Sequence, residues 1–154
     1  MSTRQKSICL VGIGLLFISM ALVSCAPVQK TIVTTSNLST LKGTWEGWTD
    51  FGIGQGRPVL TWVEIVNDTA PVQGKITLNN LPGNLASIFP AEAKTAGNNV
   101  TVEFTNGILS NHGTLIAQSG KNFLELTYFA GEKPKIQGWF YYWALKGTLE
   151  VTKK

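Results

Sequence analysis

Cysteine and histidine are nearly absent from this chain. The two cysteines, Cys9 and Cys25, both precede residue 43, and the single histidine is His112. Beyond residue 42 no thiol exists to form a disulfide or a redox centre, so a domain there must be held by its core alone. With no second His or Cys near His112, a zinc site of the usual composition is excluded. Ser110-Asn111-His112-Gly113 reads as a turn with its imidazole in solvent. Charge is also scarce, at 14% of residues, and the carboxylates stand singly. Glu46, Glu64, Glu103, Glu125 and Glu150 fall at strand positions that face water, while Asp50 and Asp68 lie near loops as two acids a fold could pair. The chain has no G-x-S-x-G elbow. Gly52-Ile53-Gly54-Gln55-Gly56 follows a strand without leading into a helix, which excludes a phosphate loop. These absences argue against an enzyme, and no cofactor or metal is expected.

The apolar run at the amino end is too short to span a bilayer. Ile8 to Val23 gives 16 positions behind Arg4 and Lys6, against roughly 20 for a spanning helix. A basic start, an apolar middle and a small residue before a cut describe a secretory signal. Leu22-Val23-Ser24-Cys25 resembles the lipobox of bacterial lipoproteins. The resemblance implies cleavage before Cys25, a diacylglyceryl group on its sulfur and a membrane anchor of acyl chains. The alternative is an uncleaved anchor helix with an incidental cysteine. Ala26 rather than Asp after the cysteine resembles the outer-membrane sorting class. The implied location is the cell envelope: the outer membrane facing the periplasm in a Gram-negative cell, otherwise the outer face of the plasma membrane. Loss of residues 1–24 removes Arg4 and Lys6 and lowers the net charge from +4 to +2, which argues against a nucleic-acid partner.

Three segments follow from this reading: a signal at 1–24, a lipidated cysteine and tether at 25–42, and a domain at 43–154. The stretch from Ala26 to about Leu41 has neither helical period nor sustained alternation and is expected to be a flexible tether, with Thr31-Ile32-Val33-Thr34-Thr35 as a candidate edge strand. The domain reads as all-β. Residues 72–78, 100–105 and 147–152 alternate at period two, and 43–51, 58–66, 113–118, 122–129 and 135–143 are bounded by turn residues. Eight strands with mostly short connections predict an antiparallel up-and-down barrel, with a β-sandwich as the alternative. The connection 79–98 is long. Its Leu81, Leu85, Ile88 and Phe89 predict either a flap over the barrel mouth or a plug in it, and Glu92-Ala93-Lys94 predicts a helical turn.

Gly43-Thr44-Trp45 resembles the opening G-x-W of the lipocalins and wider calycins, avidins included. The resemblance implies that Trp45 closes one barrel end and that Gly43 permits close backbone approach. The C-terminal helix and the Thr-Asp-Tyr motif of true lipocalins are missing, as is the polar set that holds biotin in avidins, so ligand identity does not carry over.

The run Trp139-Phe140-Tyr141-Tyr142-Trp143 places large aromatics on both faces of one strand. One assignment puts Trp139, Tyr141 and Trp143 inside and leaves Phe140 and Tyr142 as an exterior interaction patch. Two functions are then expected. One is a barrel binding a small apolar or aromatic ligand lined by Trp62, Phe104, Trp139, Tyr141 and Trp143. The other is a structural or interaction lipoprotein with a solid core that recruits another envelope protein. A cavity of a few hundred cubic ångströms would separate them.

Overall fold

The computed structural model describes residues 29–52, 57–81, 94–142 and 145–154. The signal, Cys25, the loop residues Leu85, Ile88 and Phe89, and Trp143 lie outside the described residues. The elements run β1 (Gln29–Lys30), a 3-10 helix (Thr35–Thr40), β2 (Gly43–Asp50), β3 (Val59–Ile65), β4 (Val72–Asn79), β5 (Lys94–Ala96), β6 (Asn99–Leu109), β7 (Thr114–Ser119), β8 (Asn122–Ala130), β9 (Lys135–Tyr142) and β10 (Leu145–Lys153). Eight of the strands form a closed antiparallel up-and-down barrel in the order β2-β3-β4-β6-β7-β8-β9-β10. β10 closes the ring on β2, from Thr148↔Asp50 to Lys153↔Trp45. The expected barrel is therefore observed, and its eight strands match the predicted segments to within a few residues.

Period-two patterning explains the closure. On β3, Val59, Thr61, Val63 and Ile65 are buried while Trp62 is exposed, and a one-residue slip would turn that set to water. β4 repeats the pattern with Val72, Ile76 and Leu78 inside. Joined in a ring, these rows meet and leave no long unpaired edge. β6 and β7 pair at Ile108↔Ile116 and Leu109↔Leu115, and further along Gln118 donates its N–H to the Asn106 side-chain oxygen at 3.0 Å.

Three expectations outside the ring are corrected. Residues 29–42 are not a tether. Val33, Leu38 and Leu41 are 2–3% exposed and belong to the core, and fully burying one such side chain contributes about 1.5–3 kcal/mol. Thr34 N–H bonds to the Asn37 side-chain oxygen at 2.6 Å and starts the 3-10 turn that carries Leu38 inward. The edge strand forms at Gln29–Lys30, paired with Ala130 and Phe129 of β8, and not at 31–35. Lys94 opens β5, which pairs with residues 99–101 of β6, instead of closing a helical turn.

The barrel has two distinct ends. At one, which holds Trp45, the strands are joined through 66–71, 110–113 and 131–134, and residues 33–41 cover the opening. At the other, which holds Phe140, they are joined through 51–58, 80–98, 120–121 and 143–144. Between the ends the interior is filled. Ile76, Leu78, Val100, Val102, Phe104, Leu124, Ile136 and Phe140 are all 0–4% exposed, so no ligand-sized cavity opens among these side chains. The void between Phe104, Ala117, Asn122 and Phe140 has about 10 Å³, room for about one water. Asn122 is buried there, its Oδ1 without a partner among the described residues. Two buried hydroxyls satisfy each other, with Thr49 and Thr61 oxygens 2.8 Å apart.

Candidate functional site: an aromatic groove on the outer wall

Outward side chains of β8, β9, β10 and β2 line a groove of about 580 Å³, bordered by Lys30 of β1. The register builds it in rungs. Glu125 faces Trp139, Trp139 faces Thr148 and Thr148 faces Asp50 across successive strands. One rung along, Thr127, Gln137, Glu150 and Trp48 follow the same path. Directly opposed side chains on adjacent strands stand about 4.5–5.5 Å apart at Cβ, so each rung is a continuous surface. Trp48, Phe129 and Trp139 supply aromatic surface, and Asp50, Glu125, Glu150, Gln137, Thr127 and Thr148 supply the polar part.

Backbone contributes to the groove at Gly138. A Cβ placed there would stand 1.8 Å from the Glu125 carbonyl oxygen. Any other residue would push β9 away from β8, so the floor of the groove depends on this close approach.

Trp139 is held from one side. Lys146 Nζ lies 3.6 Å from its ring centroid and 5.3 Å from that of Tyr141, a cation–π contact that fixes the indole without covering both faces. Gln137 donates its side-chain N–H to Glu150 Oε2, and Lys135 Nζ lies 3.5 Å from the same oxygen. The Gln137 hydrogen bond holds the Glu150 carboxyl below its ordinary value; partial burial opposes it, and the Lys135 charge and hydrogen bond add to the lowering.

The structure divides the sequence-predicted site residues between two surfaces. Phe104 is interior, 4% exposed. Trp62 is 40% exposed on the outer face of β3 and does not line the interior. On β9 the predicted alternation is present with its phase inverted. Phe140 is 1% exposed and packs edge-on against Phe51 at 6.3 Å, so it is core and not an exterior patch. Trp139 lines the outer groove, and Tyr141 lies edge-on to Phe123 at 5.7 Å on the same outer face. The Tyr142 side chain lies outside the described residues. The cue was Ile136-Gln137-Gly138: the polar Gln137 shares the parity of Trp139, and the apolar Ile136 shares that of Phe140. Phe129 was not predicted as a site residue, because only the register brings it to the same surface as Trp139.

Trp45 is fully buried beneath the 3-10 helix, edge-on to Tyr128 at 6.0 Å. Gly43 has φ +121°, and a Cβ there would touch only Lys153 Cε at 3.5 Å. The backbone conformation, and not a close approach, is what requires glycine at this position. Asp50 and Asp68 fall at opposite ends of the barrel, Asp68 3.5 Å from Lys42, so they form no acid pair. Among the described residues no group of three His, Cys, Asp or Glu could hold a metal ion, and no helix is long and apolar enough to cross a membrane.

The fold is thus a filled eight-stranded up-and-down barrel, an architecture compatible with the lipocalin-like binding barrels, with a groove on its outer wall. No protein-family model, curated protein or solved structure matches the chain.

Proposed function

We propose that this chain is a lipid-anchored, non-catalytic protein of the cell envelope that binds a flat, ring-bearing small molecule in the outer groove. The observation that carries the reading is the 580 Å³ groove bordered by Trp48, Phe129 and Trp139. Its volume falls within the roughly 300–1,000 Å³ of ligand sites. Aromatic side chains accept a ring face, and the carboxylates, amide and hydroxyls around them accept hydrogen bonds from its substituents. The filled interior favours this surface over a cavity within the barrel. Anchoring is supported by Leu22-Val23-Ser24-Cys25 behind a short apolar run. A non-catalytic role is supported by carboxylates that stand singly in the sequence, with Asp50 and Asp68 at opposite ends of the barrel.

The test uses the neutral aromatic probe N-phenyl-1-naphthylamine on the purified chain. Saturable binding at one per chain is expected. Trp48→Ala and Trp139→Ala should each weaken it by about ten-fold or more, since aromatic stacking is worth about 1–3 kcal/mol, while Phe104→Val leaves it unchanged. Binding that follows Phe104 and ignores both tryptophans would return the site to the barrel interior.

A further inference from the structure

We infer that the Trp45 end of the barrel lies against an anionic bilayer surface, with Ile32 and Ile108 as its lipid-facing side chains. The inference rests on the anchor reading above, and its further support comes from observations independent of the lipobox.

Chain length sets the first constraint. Gln29 is already paired with Ala130 of β8, so Cys25 stands four residue steps away and at most about 14 Å from it. That is about twice the roughly 5–8 Å of one headgroup layer, too short to hold the barrel far from the membrane. β1 joins β8 at the Trp45 end, where residues 131–134 leave for β9. An acyl anchor on Cys25 therefore draws this end, and not the Phe140 end, to the surface.

Apolar exposure is the second observation. Ile32 is 57% exposed, Val66 54% and Ile108 67%. All three sit at the Trp45 end: Ile32 over the turn at Gly113, Val66 just past β3, and Ile108 near the close of β6. The remaining large exposed hydrophobic side chains among the described residues are Trp48 and Trp62, on the barrel wall. Branched aliphatic side chains in water at one end of an otherwise well-patterned barrel fit shallow insertion among headgroups.

Charge is the third. Lys30, Lys42, Lys133, Lys153 and Lys154 surround the same end, against Asp68, Glu46 and Glu132. Asp68 pairs with Lys42 and Glu46 with Lys154, which leaves the excess positive. A lysine near an anionic lipid surface is worth about a five-fold gain in association, so an isoleucine-and-lysine end matches an anionic membrane better than an acid-rich or neutral protein face.

The acylated chain, purified from bacterial membranes, is reconstituted in vesicles of phosphatidylcholine alone or with phosphatidylglycerol. A nitroxide is placed at Ile108→Cys or, at the opposite end, at Lys121→Cys. Label 108 should be shielded from an aqueous nickel chelate by about five-fold relative to label 121, more strongly with phosphatidylglycerol, and should lose the shielding in detergent. Equal nickel access at both positions in both vesicles would overturn the inference while leaving the anchor intact. Shielding that persists in detergent would also overturn it, by identifying a second copy of the chain as the occupant. An intact mass lacking acyl groups would overturn the anchor reading and this inference together.

Discussion

Trp45 donates its indole N–H to the Leu41 carbonyl oxygen at 2.8 Å, four residues upstream and on the far side of the turn into β2. This bond joins the covering segment to the barrel it covers. Leu38 and Leu41 of the same segment are buried in one core cluster with Trp45, and Tyr128 meets the indole edge-on from β8. Without residues 33–41, a fully buried tryptophan would face water at an open barrel end.

Removing that cover should therefore cost stability in proportion to the cavity left. Leu38→Ala is expected to lower the unfolding free energy by about 2–5 kcal/mol in urea titration. Thr35→Ala, in the same turn but solvent-exposed, should change it by less than about 0.5 kcal/mol. Equal, small effects would mean that the segment is a tether after all.

The inverted phase of β9 makes a paired prediction. Phe140→Ala should destabilise by about 3–5 kcal/mol, as expected for a core aromatic. Trp139→Ala should cost far less stability but weaken probe binding at the outer groove. Thermal melts and probe titrations on the same two proteins separate the roles, and a stability loss larger for Trp139 than for Phe140 would reverse the assignment.

Gly138→Ala tests the groove floor. The added Cβ meets backbone that is itself held in the β8–β9 ladder, so relief requires strand movement, and a cost of about 1–3 kcal/mol is expected. Probe binding should fall together with stability. A neutral substitution would show that β8 and β9 can separate freely here.

Glu150 predicts a specific acid dependence. Its folded carboxyl titrates below its ordinary value, so its contribution is fully present above that value and is lost as pH falls through the depressed one. Glu150→Gln should flatten this part of the acid limb of the stability curve, and Gln137→Leu should move the Glu150 titration, followed by NMR, upward toward the ordinary range. An unchanged Glu150 titration in Gln137→Leu would remove the hydrogen bond as the cause. The effect should be small, because the carboxylate is largely solvated and exposed pairs contribute little.

Much of the fold was legible because alternation is a local property. Val72 to Leu78 and Gly147 to Thr152 carry period two in their own residues, and glycine-, asparagine- and proline-rich breaks divide the remainder into barrel-length strands. The short connections then leave antiparallel neighbours as the direct path. The covering segment was less legible. Thr34, Asn37, Leu38 and Leu41 carry a turn signal and two apolar residues three apart, but burial of those leucines requires a barrel mouth to receive them.

Strand identity, the wet and dry faces of β4, and the absence of thiol or zinc chemistry beyond residue 42 were determined by the sequence by itself, because propensity, period and composition need no partner. The phase of Trp139 to Tyr142 was decided by tertiary structure. Four consecutive aromatics satisfy either face, and the choice falls to register, which sets Phe140 between Leu124 and Gly147 on the inner wall. The groove was decided in the same way. Gln137 and Glu150 meet across the neighbouring strands β9 and β10, but Trp48 is far from both in sequence and only the closure of β10 onto β2 places it beside Glu150, since closing a barrel is a global condition that no single strand can meet.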